Sequence, residues 1–158
     1  MATTGKIATC LWFDTQAEEA AEFYASLVPG SRVVRLDRFP GGEREGQVAL
    51  AEVELAGQRY QLLNGGPAFP QSESVSIVVS CTDQAEVDRL WTALTSDGGQ
   101  DSMCGWVKDR FGVSWQLIPE EIMDLMFQGG DGSRRAWDAL MTMRKIDIAA
   151  VRAAHAGA

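Results

Sequence analysis

The sequence predicts an α+β protein made of two tandem βαβββ modules followed by C-terminal helices. A strand-like motif, GQRYQLL at residues 57–63, recurs as GVSWQLI at residues 112–118, so two related sheets are expected. Each copy ends a segment in which an amphipathic helix pattern follows a short apolar run. A stretch rich in glycine and proline at residues 64–70 separates the two segments, because it supports neither helix nor strand interior.

The composition is that of a globular protein and argues against several kinds of partner. The chain has 158 residues, 46% of them hydrophobic and 23% charged. A formal net charge of -8 opposes nucleic-acid binding, which draws affinity from neutralised phosphates. No apolar run reaches the ~20 residues of a membrane helix, and no secretory leader pattern is present. Three cysteines without a C-x-x-C pair fit free thiols, so a cytoplasmic protein is expected.

The first module is predicted to span residues 6–66. Its opening strand covers residues 6–13, a short and mostly apolar run. Asp14 or Thr15 is expected to cap the helix that follows, because either side chain can accept a hydrogen bond from the first helical turn. That helix ends before Pro29. Further strands are expected at residues 31–39, 47–55 and 57–63.

A linker at residues 67–72 leads into the second module, which is predicted to span residues 73–119. A β-branched run at residues 74–80 predicts its first strand. Thr82 or Asp83 is expected to cap the next helix, which closes at a pair of glycines. The remaining strands are expected near residue 101, at residues 105–108 and at residues 112–118.

Residues 120–158 lie outside the repeat and are predicted to form a helical tail. Pro119 suits the first turn of a helix, and Glu120 and Glu121 suit the positive end of its dipole. This tail is expected either to cover an exposed sheet edge or to join a dimer interface. Further helices are expected from residue 133 or 134 to residue 144 and from residue 146 to residue 156.

Several short motifs resemble one known family. They are LWFD at residues 11–14, AEEA at 17–20, FY at 23–24, LNGGP at 63–67, CGW at 104–106 and GVSWQ at 112–116. Together with the tandem modules they resemble the PhnB-like branch of the vicinal oxygen chelate superfamily, which contains glyoxalases, bleomycin-resistance proteins and extradiol dioxygenases. The resemblance runs from about Lys6 to about Ile148. It implies a curved sheet around a cavity, often with modules contributed across a homodimer, and a homodimer is expected here.

The resemblance also implies where a divalent metal would be held. Aligning the two modules places Thr9 opposite Ser76, and with Gln61 and Gln116 these residues occupy the family's ligand positions. Two hydroxyls and two neutral amides are weak donors that do not offset the charge of a dication. The lone histidine, His155, lies near the C-terminus. Neither a metal nor another cofactor is therefore expected.

The glutamines are the main candidates for contact with a small-molecule ligand. Side chains alternate along a strand, so Gln61 and Gln116 point away from their aromatic and leucine neighbours, toward a face that suits a cavity. An amide can both donate to and accept from a ligand, although the two glutamines could instead bind each other, backbone or water. The other candidate ligand-binding residues are Thr9, Trp12, Asn64, Ser76, Cys104 and Trp106. No catalytic residue is identified.

Cys104 is the candidate nucleophile, but the sequence favours an inert thiol. A cysteine needs a basic partner to become a thiolate at neutral pH, and no histidine lies near it in sequence.

PhnB-like domains are often labelled demethylubiquinone methyltransferases, and the sequence does not support that activity. The junction between the first strand and its helix, residues 13–18, contains no glycine to let backbone approach a nucleotide cofactor. Two hypotheses remain. One is a metal-free module that binds a small, partly apolar molecule in a dimeric cavity. The other is a small-molecule enzyme of glyoxalase, dioxygenase or transferase type.

Overall fold

A computed structural model describes residues 6–158 and divides the chain into two compact units. The first unit extends to Gln71, and the second comprises Ser72–Ala158. Both units contain a mixed four-stranded sheet and one helix in the order βαβββ, which confirms the predicted α+β class. Among the described residues, none of the helices is both long and apolar enough to span a membrane.

The first unit forms a sheet in the order β1-β4-β3-β2. The outer strand β1 runs parallel to β4, and the other neighbours are antiparallel. One face of the sheet packs against helix α1 through the buried side chains of Leu11, Leu62 and Tyr24. Its elements are β1 (Thr9–Phe13), α1 (Ala17–Leu27), β2 (Arg32–Arg38), β3 (Val48–Leu55) and β4 (Gln58–Asn64).

The second unit repeats this topology with the order β5-β8-β7-β6. Strands β5 and β8 are parallel, and Trp115 and Leu117 of β8 are buried. Its elements are β5 (Ser76–Cys81), α2 (Gln84–Thr95), β6 (Gln100–Asp101), β7 (Trp106–Lys108) and β8 (Ser114–Pro119).

Three helices complete the second unit and pack on the end of β8. They are α3 (Glu120–Phe127), α4 (Gly130–Leu140) and α5 (Ile148–Ala156), so α4 begins and ends earlier than the sequence predicts. Their apolar side chains form one buried cluster with Ile118, the last apolar residue of β8. The other members of this cluster are Ile122, Met126, Ala136, Leu140, Ile146, Ile148 and Val151.

The cap of α1 differs from the prediction. Neither Asp14 nor Thr15 caps the helix; the N-cap position is Gln16, whose side chain makes no capping bond. Asn64, at the end of β4, supplies the missing acceptor, because its Oδ1 receives the Ala17 N–H at 2.8 Å. At α2 the prediction of Asp83 is confirmed by a 2.8 Å bond from the Glu86 N–H to Asp83 Oδ1.

The alignment of Thr9 with Ser76 is wrong by one residue. Gln61 pairs with Cys10 in the parallel ladder of the first sheet, whereas Gln116 pairs with Val78 in the second. Because side chains alternate, Thr9 lies on the face opposite Gln61, while Ser76 lies on the same face as Gln116. A short match between two helix starts therefore set the register incorrectly.

Candidate functional site

The second unit contains a cavity of about 380 Å³ between its sheet and the helices α3 and α4. The sheet face contributes Gln116 of β8 and Trp106 of β7, which are directly opposite each other in the antiparallel ladder. A cavity of this size falls within the usual range for small-molecule sites. The rest of the lining is Val78, Ser80, Cys104, Ile118, Met123, Met126, Phe127, Trp137 and Leu140.

Gln116 provides an amide group in this largely apolar lining. Its Nε2 donates to Ser76 Oγ at 2.8 Å across the parallel pair β5 and β8. Ser76 is not part of the lining, so the bond that holds the amide comes from outside the cavity. Among the described residues, no donor contacts Gln116 Oε1, which leaves that oxygen able to accept a hydrogen bond from a ligand.

Aromatic and methionine side chains from α3 and α4 form the opposite wall. Phe127 and Trp137 meet edge to face, with ring centroids 5.8 Å apart, and Met123 and Met126 project from the same side. Phe127 and Val78 are 66% and 57% exposed, so they lie at the rim. Aromatic rings offer large, rigid contact surfaces, and methionines adapt to irregular shapes. This wall is suited to a flat, apolar group.

Cys104 lies in the same cavity, in the turn before β7. Its backbone has a positive φ of 57°, and its N–H and that of Gly105 bond to Met143 O and Arg144 O, each at 2.8 Å. Its Sγ contacts Leu140 O and Met141 Sδ, both at 3.6 Å. Neither partner is a base that could remove the thiol proton.

Gly105 shows why this turn requires glycine. Its φ is +82°, and a Cβ there would lie 2.8 Å from Leu117 O. The turn that carries Cys104 therefore packs closely against β8 and Ile146.

The corresponding face of the first unit is charged rather than apolar. Gln61 Nε2 donates to Glu52 Oε1 at 3.3 Å, and Glu52 also binds Arg59 at 2.6 Å. Cys10 pairs with Gln61 in the ladder, and burial raises the pKa of its thiol. The two glutamines of the repeat therefore have different partners.

Two other sequence candidates, Trp12 and Asn64, are engaged in structural contacts of the first unit. Trp12 Nε1 donates to Gly66 O at 2.8 Å, and its ring meets Phe69 edge to face at 4.9 Å. A Cβ on Gly65 would lie 2.2 Å from the Trp12 ring, so the indole packs directly on that glycine. Besides capping α1, Asn64 donates to Thr15 O and Val48 O, at 3.1 and 2.9 Å.

Sequence reasoning missed Asp109, a buried carboxylate that organises the loop between β7 and β8. Its Oδ1 accepts from the N–H groups of Phe111 and Val113, and its Oδ2 accepts from Trp115 Nε1 at 2.9 Å. Asp109 is 2% exposed and lies outside the cavity lining. The short spacing from Asp109 to Gly112 is a turn signal that could have identified it.

The residues at the expected metal positions do not fit a divalent cation. Ser76 and Gln116 are neutral and bonded to each other, and Thr9 lies on the wrong face to join Gln61. Within residues 6–158, no group of three His, Cys, Asp or Glu side chains is placed so that it could hold a metal. Stable sites for divalent metals generally use imidazole, thiolate or carboxylate ligands.

The family match covers the two modules and ends before the helical tail. A family model described as 3-demethylubiquinone-9 3-methyltransferase matches residues 5–118. A PhnB protein from Bacillus cereus is 34% identical, with a TM-score of 0.65; the match covers 72% of this chain and 98% of that one. Among curated proteins, none matches significantly.

Two further solved structures share the fold. Protein PA1353 from Pseudomonas aeruginosa is 24% identical, with a TM-score of 0.61, and the match covers 72% of this chain and 96% of that one. The Arabidopsis thaliana gene product AT5G48480 is 21% identical, with a TM-score of 0.50; the match covers 72% of this chain and 97% of that one. The family match over residues 5–118 and the 34% identity to the PhnB protein establish that the chain belongs to the 3-demethylubiquinone-9 3-methyltransferase, or PhnB-like, family.

Proposed function

We propose that this protein binds a small, partly apolar molecule in the cavity of its second unit, without the metal typical of the superfamily. The observation that carries the proposal is the lining itself. One amide, Gln116, lies among aromatic and methionine side chains in a space of about 380 Å³. Small-molecule sites are typically apolar cavities with a few polar groups that set orientation.

The helical part of the cavity wall lies beyond the family match. The family model ends at residue 118, whereas α3 and α4 begin at Glu120 and Gly130. The Bacillus cereus protein is matched over 98% of its own length by 72% of this chain. The wall made by Phe127 and Trp137 therefore lies outside the part of the chain that the family model matches.

Binding is favoured over catalysis by the surroundings of the thiol in the lining. Cys104 Sγ contacts a carbonyl oxygen and a thioether, and neither activates a thiol. The family description names a methyl transfer, but the junction of β1 and α1, residues 14–16, has no glycine for close approach to a cofactor.

A thermal-shift screen with a library of uncharged aromatic compounds tests the proposal. A ligand that binds the folded state raises the melting temperature, so the parent protein should give hits. The variant Val78→Trp places an indole at the cavity rim and should lose them. Val75→Trp is the matched control, because Val75 is also exposed but does not line the cavity. No hit on the parent, or hits that Val78→Trp retains, would contradict the proposal.

We also propose that the protein forms a homodimer, as is common in this superfamily. Apolar side chains remain exposed on both units, including Phe69 at 64% and Met141 at 57%. Burial of such side chains is a usual driving force for association. Light scattering should give twice the chain mass of 17.2 kDa. A particle with the mass of one chain at micromolar concentration would contradict the dimer.

A further inference from the structure

We propose that the cavity selects uncharged aromatic compounds that carry a hydrogen-bond donor, such as a phenolic hydroxyl, and that Ser76 sets this preference. The inference rests on the proposed binding function and adds the ligand class and a specificity residue to it. It follows from the hydrogen bond that Gln116 Nε2 donates to Ser76, which leaves the amide oxygen without a partner among the described residues.

Ser76 occupies one of the two N–H groups of the Gln116 amide, whereas no donor among the described residues contacts the amide oxygen. Gln116 Nε2 is held by Ser76 Oγ at 2.8 Å, and Ser76 lies outside the lining. The Oε1 atom therefore keeps its full capacity to accept a hydrogen bond from a ligand. An amide oxygen accepts and does not donate, so a ligand that meets it must supply an N–H or O–H group.

The remaining lining argues against a charged ligand. Apart from the Cys104 thiol, it contains no side chain that ionises. Burying an ionised group without a partner is costly, so a carboxylate or ammonium compound would be rejected. The Trp106 ring on the sheet and the Phe127 and Trp137 rings on the helices favour a flat aromatic body.

Ser76 acts through Gln116 and is therefore a positioning residue. Without its hydroxyl, the amide can turn and present either its oxygen or its nitrogen. Ser74 is a suitable control, because it lies two residues before Ser76 and outside the lining, and its hydroxyl bonds to Ser72 rather than to Gln116. The measured quantity is the ratio of the affinities for donor and acceptor ligands. A general loosening of the fold would not shift this ratio consistently in one direction.

Calorimetric titration of the full chain with three probes at pH 7 tests the inference. The probes are 2-naphthol, 2-methoxynaphthalene and 2-naphthoate, which share one ring system and differ in donor capacity and charge. We expect 2-naphthol to bind about fivefold more tightly than its methyl ether, since one hydrogen bond contributes roughly 1 kcal/mol and 1.4 kcal/mol is tenfold. The carboxylate should bind more weakly still.

The variants assign the preference to named residues. Ser76→Ala should reduce the ratio of the two affinities toward one, Gln116→Leu should abolish the preference, and Ser74→Ala should retain it. Equal binding of 2-naphthol and its ether to the parent, or tighter binding of the ether, overturns the donor preference while leaving the binding function in place. An unchanged ratio in Ser76→Ala overturns the role of Ser76. If none of the probes binds, the proposed function fails together with this inference.

Discussion

Gln116 donates its side-chain amide to Ser76 across two parallel strands, whereas its repeat counterpart Gln61 donates to Glu52 on the neighbouring antiparallel strand. The same sequence motif therefore holds its amide from opposite sides in the two sheets. In the first unit the partner is an ion-paired carboxylate, and in the second it is a hydroxyl beside an apolar cavity. This difference places the candidate binding site in the second unit.

Replacing either glutamine by leucine should affect stability little. Glu52 keeps its ion pair with Arg59 in Gln61→Leu, and Ser76 is only half-buried, so neither partner becomes a buried group without a bond. We expect a loss below about 1 kcal/mol in the free energy of unfolding for each variant. Urea titration measures it. A loss of several kcal/mol for both variants would identify them as structural residues of the core.

Asn64→Ala should be much more damaging than either glutamine variant. The substitution removes three hydrogen bonds and leaves the Ala17 N–H at the start of α1 without its acceptor. We expect a loss of about 3 kcal/mol in the free energy of unfolding. Gln58→Ala is the control, because Gln58 is exposed and its side chain donates to the carbonyl oxygen of the adjacent Arg59. Equal effects in the two variants would contradict the capping role.

Asp109→Asn should destabilise the second unit mainly through Trp115. Oδ2 accepts the indole N–H at 2.9 Å, and an amide nitrogen at that position would face a donor instead. We expect a loss of about 2 kcal/mol. In a Trp115→Phe background, which lacks the indole N–H, Asp109→Asn should cost less. Equal losses in both backgrounds would show that the indole bond is not the source.

Alkaline pH should weaken the fold through Cys81. Burial, with the nearby Glu86 carboxylate, raises the pKa of this thiol from its ordinary value of 9.0 to about 12. Because the folded pKa exceeds the unfolded one, the stabilising contribution is complete below pH 9 and is lost as the pH rises toward 12. The free energy of unfolding should fall less steeply above pH 9 in Cys81→Ala. The same slope in both proteins would refute this assignment.

The sequence predicted the modules well because each was signalled locally. The alternation in 57–63 and 112–118, and the helix patterns between the strands, depend on neighbouring residues. The predicted register of Thr9 was wrong because its pairing with Tyr60 joins two strands that are far apart in the sequence. A one-residue slip changes the face on which every side chain lies.

The site was predicted only in part for the same physical reason. Gln116 was named from the repeat, Trp106 as a candidate ligand-binding residue and Cys104 as a candidate nucleophile, and all three line the cavity. The opposite wall comes from α3 and α4, outside the repeat, where the sequence indicates apolar faces but not what they pack against. Asn64 proved to be a helix cap, because the acceptor that α1 lacks comes from a distant strand.

A crystal structure of the full chain grown with 2-naphthol tests the central claim most directly. We expect density for the flat ring system between Trp106 and the Phe127 and Trp137 side chains. The hydroxyl should lie within hydrogen-bond distance, about 2.5–3.0 Å, of Gln116 Oε1. A cavity that holds only water, or a compound bound elsewhere with the Gln116 amide untouched, would contradict the claim that this cavity is the binding site.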